Sequence, residues 1–229
     1  MTAPTINPAL WLGHNWVDRL KPENRIVTGH AYDVVKRIFD LLLVVVTAPL
    51  WILVMAVCAV LIKFDDPSAP VMYTQSRAGL YGKAIKMHKF RTMVPNAEAM
   101  EADLQHINEL EWPDFKATND PRITRPGRLL RNTSLDEIPQ LWDVLTGRLS
   151  LVGPRPTVFM SDLYVLWQTE RLDVKPGITG LWQLYGRGLL NIDDKTRLDI
   201  AYVQRRSLWL DLQVLVRTIP AVLTQRGVT

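Results

Sequence analysis

Asp136 and Glu137 stand side by side in the stretch Thr133-Ser134-Leu135-Asp136-Glu137-Ile138-Pro139-Gln140. Arg128 and Arg131 precede them, and Gly153-Pro154-Arg155-Pro156 follows. An acidic pair alone says little, because such pairs are common on protein surfaces. Within a run of arginines it suits a metal ion and a phosphate. Carboxylates ligate hard divalent cations, and guanidiniums grip phosphate oxygens with paired N–H groups. An ionised Asp is also a nucleophile able to form a covalent intermediate. Pro154 and Pro156 fix the backbone on both sides of Arg155, so little freedom is lost when it takes an anion.

Ser134-Leu135-Asp136-Glu137 has the capping-box spacing, in which the Glu side chain closes the start of a helix. Glu137 therefore has two readings, a helix cap or a metal ligand. The same helix start would place Asp136 in a first turn, where the helix dipole favours its ionised form. Downstream, Lys175-Pro176-Gly177-Ile178-Thr179-Gly180-Leu181-Trp182-Gln183 and on to Arg187 form a glycine-bearing loop. Trp182 offers a stacking face, Gln183 paired donors and acceptors, and Arg187 a charge, all suited to a nucleotide. A packed Trp is the commoner role. His88 is a base by chemistry, but a lone His in a strand is more often structural.

These residues need a scaffold. The chain has 229 residues, 48% of them hydrophobic, and a net charge of +4. That suits one domain with a membrane element, and anionic partners of several kinds. Cys58 is the only cysteine, so no intrachain disulfide forms. Residues 1–30 are polar, with Pro4, Pro8 and Pro22, and read as a tail. Residues 31–63 are different. Lys36 and Arg37 precede an apolar run over 38–62 that only Asp40 and Thr47 interrupt. As helix it would reach about 37 Å, enough for a hydrocarbon core of about 30 Å. Ala48-Pro49 sits at its centre, where proline removes a donor and breaks or kinks the helix. Positive residues flank both ends: Lys36 and Arg37 on one side, Lys63, Arg77, Lys83, Lys86, Lys89 and Arg91 on the other. Positive residues stay cytoplasmic, so a bent helix entering and leaving one face satisfies both ends, and a straight span satisfies one.

Residues 64–229 read as the catalytic domain. Residues 71–75 and 84–91 predict a β-hairpin around Ala78-Gly79-Leu80-Tyr81-Gly82, with Lys86 and Lys89 on opposite faces. Residues 96–110 predict a helix capped by Asn96, with Ala97, Met100, Leu104 and Ile107 in one stripe. A helix after Asp136-Glu137 should end at Gly147. A short amphipathic helix is expected over 162–171, a helix over 191–204, and an apolar-rich helix over 207–224, bent or ended near Pro220 and packed on the domain or lying at a membrane interface. The fold class is α+β, mostly helical.

Four ordered blocks carry a resemblance. They are Lys36-Arg37-x-x-Asp40 with the proline-broken apolar run, Lys89-Phe90-Arg91-Thr92-Met93, Ser134-Leu135-Asp136-Glu137-Ile138-Pro139-Gln140-Leu141 with Gly153-Pro154-Arg155-Pro156, and Pro176-Gly177-Ile178-Thr179-Gly180 with Trp182-Gln183. Over about residues 31–227 the chain resembles the bacterial sugar transferase family, the monotopic polyprenyl-phosphate phosphoglycosyl transferases. Its short N-terminus and Thr218-Ile219-Pro220-Ala221-Val222 ending most resemble compact members that prime exopolysaccharide repeat units, such as the succinoglycan type. No extra N-terminal membrane bundle of the long members is expected.

The resemblance implies transfer of a sugar 1-phosphate from a UDP-sugar to undecaprenyl phosphate, with UMP released and Mg²⁺ required. It implies Asp136 as nucleophile and Glu137 as its assistant in metal binding or proton handling. Lys89, Arg91, Arg131 and Arg155 would surround the phosphates, and Gln183 and Arg187 would contact nucleotide or sugar. Asp199 is a weaker metal candidate. The family's membrane helix is re-entrant and broken at a Ser-Pro or similar pair; here the pair is Ala48-Pro49. That places the chain on the cytoplasmic face of the bacterial inner membrane. The sugar is expected to be a hexose, galactose or glucose, with an N-acetylated amino sugar as the alternative. A membrane-anchored anionic-lipid-binding protein without catalysis is the competing class, but it gives bare carboxylates no reason to sit among the arginines. No nucleic-acid partner is expected; a homo-oligomer and downstream glycosyltransferases are open as partners.

Overall fold

The computed structural model describes residues 29–109, 117, 119–157, 166–185 and 192–223. Nearly all of the expected tail, and Arg187, lie outside them. The apolar run is divided into α1 (Gly29–Val46) and α2 (Ala48–Asp65), with Thr47 between. Pro49 falls in the first turn of α2, where its missing N–H has no intrahelical partner to lose. Of the carbonyls freed at the joint, that of Val44 is covered by side chains. Thr47 Oγ1 lies 2.7 Å from Leu43 O and 3.3 Å from Val44 O, and Trp51 Nε1 donates to Val44 O at 2.9 Å.

Both helices pack one face on the same domain. Val44 and Trp51 join a core with Val144, Leu149, Val152, Leu198 and Leu210. Cys58 and Ile62 join a second cluster with Phe90 and Leu130. The opposite faces stay apolar and exposed: Ile38, Leu42, Val45 and Val46 on α1, and Leu50, Leu53, Val57, Val60 and Phe64 on α2. A contiguous exposed apolar surface of this kind marks a membrane or partner contact.

A hairpin follows, β1 (Met72–Ala78) against β2 (Ala84–Phe90), antiparallel, with Tyr73 opposite Lys89 and Arg77 opposite Ile85. Next, α3 (Arg125–Asn132) starts at Thr124, whose side chain accepts from Gly127 N at 3.0 Å. A Cβ on Gly127 would stand 2.1 Å from Thr92 O, so only glycine lets α3 press against the exit of β2. After α4 (Gln140–Leu145), Gly147 turns the chain at φ 81°. Then β3 (Ser150–Val152) pairs in parallel with β4 (Gly177–Thr179), and α5 (Leu181–Tyr185), α6 (Ile192–Arg205) and α7 (Leu208–Leu223) complete the described chain. α7 buries Leu210, Asp211 and Val214 and exposes Trp209, Leu212, Val216 and Ile219.

Three expectations are corrected. Of the expected helix over 96–110, the described residues 96–109 form turns and one 3₁₀ turn, Gln105–Ile107, not an α-helix. Arg122, only 2% exposed, explains this: its guanidinium takes Ala97 O at 3.2 Å, the acceptor a helix would give to Glu101 N, and Glu101 N bonds Glu98 O instead. Within 162–171 the described part is 3₁₀, Leu166–Leu172. Within the expected loop from Lys175 to Arg187, Gly177–Thr179 form a strand paired in parallel with β3 and Leu181–Tyr185 form a helical turn, neither announced by the sequence.

The start of α1 is locked to α7 through buried charge. Asp211, fully buried, accepts from Lys36 Nζ at 2.9 Å, Tyr32 OH at 3.1 Å and Tyr202 OH at 2.7 Å. One turn on, Asp40 accepts from Ser150 Oγ at 2.6 Å. Arg37 donates to Val144 O and Leu145 O, the exposed carbonyls at the end of α4. Lys36 and Arg37 are thus docking residues as well as a positive flank. Removing one partner of a buried ion pair strands the other, so Asp211→Ala should lower unfolding stability by about 3–5 kcal/mol. Chemical denaturation of the detergent-solubilised protein checks this; an unchanged midpoint would show that the lock is dispensable.

Candidate active site

Four segments converge on the acidic pair. β2 brings Lys89, α3 brings Arg131, the loop after β3 brings Arg155, and a 3₁₀ turn, Leu135–Glu137, carries the carboxylates. Ser134 enters that turn in the left-handed region, at φ 56°. For a non-glycine residue this costs about 1–2 kcal/mol and is characteristic of functional turns. Ser134 makes no side-chain capping bond, which overturns the capping-box reading. Glu137 Oε1 instead accepts from Lys89 Nζ at 2.8 Å and from Arg155 Nη2 at 2.9 Å.

The two carboxylates are unequal. Burial pushes Glu137's carboxyl up, but Arg155 and Lys89 outweigh it and hold the group well below the ordinary range. Asp136 is pushed above its ordinary value by burial and by Glu137's charge, against the pull of Lys89, Arg131 and Arg155. The helix-dipole expectation for Asp136 therefore fails, since a three-residue 3₁₀ turn supplies little dipole. Asp136 also makes no hydrogen bond or ion pair with any described residue, although three cations act on it. The geometry thus holds one fixed, ionised acid beside one unengaged acid.

Arg155 is held from three sides. Its guanidinium lies 5.7 Å from the centroid of the Trp182 ring, which Lys195 also approaches at 5.5 Å. Its carbonyl accepts from Arg171 Nη2 at 2.9 Å. Arg171 is buried and ion-paired with Asp199, which is fully buried. Asp199, nominated as a weaker metal ligand, is therefore engaged behind Arg155. Arg131 Nε donates to Thr92 Oγ1 at 2.9 Å, which ties α3 to the end of β2.

Other nominated residues lie elsewhere. Arg91 Nε donates to Met93 O at 3.0 Å and its side chain lines a second cleft with Asp65, Asp66 and Thr124. Gln183 is 2% exposed and donates to Ile178 O at 2.9 Å, behind the wall that Ile178 presents to the cleft. His88 is structural: Nδ1 lies 2.7 Å from Asp143 Oδ1, joining β2 to α4. Cleft residues the sequence reading missed are Arg77, Gln140 and Met87, which line it with Lys89, Glu137 and Arg155. Strand alternation was the available signal for two of them. The register puts Tyr73, Gln75 and Arg77 opposite Lys89, Met87 and Ile85, one face of the hairpin. Gln140 carried no signal.

A family model described as Bacterial sugar transferase matches residues 31–225. The UDP-galactose-lipid carrier transferase of Erwinia amylovora is 42% identical over 205 residues, 86% of this chain and 42% of that protein. The undecaprenyl-phosphate galactose phosphotransferase of Salmonella typhimurium is 39% identical over 201 residues, 84% of this chain and 41% of that protein. The exopolysaccharide production protein ExoY of Rhizobium meliloti is 40% identical over 201 residues, 84% of this chain and 87% of that protein. The chain thus spans about two-fifths of the first two relatives and most of the third.

Burial, against the opposing pull of Arg171, raises the Asp199 carboxyl to about 7. The unfolded value is about 3.9. Between the two, the folded state holds a proton that the unfolded state has lost, so stability falls as pH rises through that window. Asp199→Asn keeps an acceptor for Arg171 without the titration. Its denaturation midpoint should therefore decline less between pH 4 and pH 7 than that of the parent; identical pH profiles would refute the assignment.

Proposed function

The chain belongs to the bacterial sugar transferase family, and on that premise we propose that it moves a hexose 1-phosphate from a UDP-sugar to undecaprenyl phosphate, releasing UMP. The observation that carries the mechanism is the asymmetry of the acidic pair: Glu137 is immobilised by Lys89 and Arg155, and Asp136 is unengaged. An Asp Oδ of Asp136 attacks the β-phosphorus of the UDP-sugar. The bond from that phosphorus to the bridging oxygen breaks, and UMP leaves with the oxygen. The product is a phosphosugar-aspartyl enzyme. A phosphate oxygen of undecaprenyl phosphate then attacks the same phosphorus, breaks its bond to Asp136 and regenerates the carboxylate. One pocket thereby serves a soluble and a lipid substrate in turn.

Lys89, Arg155 and Arg131 supply the positive field that phosphoryl transfer requires. Lys89 and Arg155 are held in place by Glu137, so they need little rearrangement when a diphosphate arrives. Mg²⁺ fits this donor set. Among the described residues no three His, Cys, Asp or Glu side chains converge, so those residues offer no cage of their own. Mg²⁺ is commonly held by one or two carboxylates plus substrate phosphates, here Asp136 with Glu137 beside it. When bound it would neutralise diphosphate charge. The hexose reading, galactose in particular, leans on the substrate in the names of the Salmonella and Erwinia relatives.

The membrane reading is re-entrant. The start of α1 is bonded to α7 through Asp211, and the end of α2 packs Ile62 against Phe90 and Leu130. Both ends therefore rest on one domain, with the apolar faces turned outward. In this reading the domain lies on the cytoplasmic face of the inner membrane, where UDP-sugars are made, and α7 sets Trp209, Leu212, Val216 and Ile219 into the interface.

Incubation with UDP-galactose, undecaprenyl phosphate and Mg²⁺ should release UMP, with UDP-glucose and UDP-N-acetylgalactosamine as competitors to rank the sugar. Asp136→Ala should lower the rate at least about 10³-fold, as loss of a nucleophile does. Without acceptor, the parent protein should gain the mass of one hexose phosphate on Asp136. Undiminished UMP release by Asp136→Ala, or labelling at another residue, would overturn the assignment.

A further inference from the structure

A second cluster of positive charge lies at the opposite end of α4 from the cleft. Gln140, at the start of α4, lines the cleft; Gly147 lies just beyond the other end, at φ 81°. A Cβ built on Gly147 would stand 3.6 Å from Arg37 Nη2 and 3.7 Å from Lys175 Nζ. Two cationic nitrogens thus approach one point that no side chain fills. Arg37 is fixed there by donating to Val144 O and Leu145 O, and its guanidinium has further N–H groups to offer. Lys175 is half-buried, and its ammonium makes no hydrogen bond or ion pair with any described residue.

The charges around this point do not balance. Lys36, Arg37 and Lys175 face Asp40 and Asp211; Lys36 is shared by the two carboxylates, at 3.7 Å and 2.9 Å. Asp33 also acts on Lys175 but is paired with Arg206 at 3.6 Å. Arg148, beyond Gly147, is engaged by Asp143. One positive charge remains in excess, shared between Arg37 and Lys175, neither of which is ion-paired with a carboxylate among the described residues. Burial and Arg37 push the Lys175 ammonium below the ordinary range, the condition a bound anion relieves. Arg37 stands on α1 within one turn of Val34, Val35 and Ile38, which are 44%, 38% and 60% exposed. An anion placed there adjoins an outward apolar surface.

We propose that Arg37, Lys175 and the gap over Gly147 form a binding site for the phosphate of an anionic phospholipid headgroup, separate from the acidic-pair cleft. The site rests on the membrane placement of α1 and α2, and not on the sugar-transfer reading. It would hold the entry of α1 at headgroup depth, since the same Arg37 docks α1 on α4.

The full chain in nanodiscs of phosphatidylcholine, alone or with phosphatidylglycerol, gives the test by thermal unfolding. Phosphatidylglycerol should raise the midpoint by about 2–4 °C in the parent protein. Lys175→Met, which keeps most of the stem and removes the charge, should lose that rise. Lys86→Met, an exposed lysine on β2 with the same loss of net charge, should keep it. Equal responses in parent and Lys175→Met overturn the site, as does an equal loss in Lys86→Met, which would mean bulk attraction only. A detergent arm compares inorganic phosphate with chloride at matched ionic strength. A midpoint rise there, without one in phosphatidylglycerol, would overturn the lipid source in favour of a soluble phosphate. No step requires UDP-sugar, so failure here and failure of the transfer reaction are read separately.

Discussion

One carboxylate oxygen organises the cleft. Glu137 Oε1 accepts from Lys89 and from Arg155, which are 48 and 18 residues away in sequence. Without that shared acceptor, two cations would face each other across a partly dehydrated cleft. Their repulsion would splay the hairpin from the loop after β3. With it, both are drawn to one point and Asp136 is left at the edge of their combined field. Division of labour within an adjacent pair is therefore an electrostatic outcome: the residue that neutralises cannot also react, and its neighbour stays available. The arrangement is reinforced from behind, because Arg171 and Asp199 hold the backbone that presents Arg155.

The sequence was most legible where periodicity and composition act locally. The apolar run, its interruption beside Pro49, the hairpin and the helix ending at Gly147 follow from rules that concern neighbours along the chain. It misled where a distant side chain intervened. Residues 96–110 have a helical stripe, but Arg122 captures the carbonyl that stripe requires. Ser134 to Glu137 has capping-box spacing, but Lys89 and Arg155 claim the Glu that would close it. The β3–β4 pair is three residues a side, too short to show alternation.

The candidate site was legible in its chemistry and less so in its membership. Asp136, Glu137, Lys89, Arg131 and Arg155 do meet. Arg91 lines another cleft, and Gln183 and Asp199 support the wall from behind. Charged type and sequence proximity cannot separate a group that faces substrate from one that braces it. Asp199, expected as a weaker metal candidate, and Arg171, at the end of an expected amphipathic helix, carry no sequence signal of being a pair; burial joins them.

The Lys36–Asp211 contact spans 175 residues. At about 5–20 residues per second on the ribosome, Asp211 is made roughly nine to thirty-five seconds after Lys36. During that interval Lys36 has Asp40, one turn on, as its carboxylate partner, and α1 has no α7 to rest on. The buried cluster around Asp211 is therefore one of the last parts of the described chain to close. Closure by α7 then converts a helix held by local contacts into one docked through buried charge. The order in which the chain emerges thus sets when its first helix is docked on the domain.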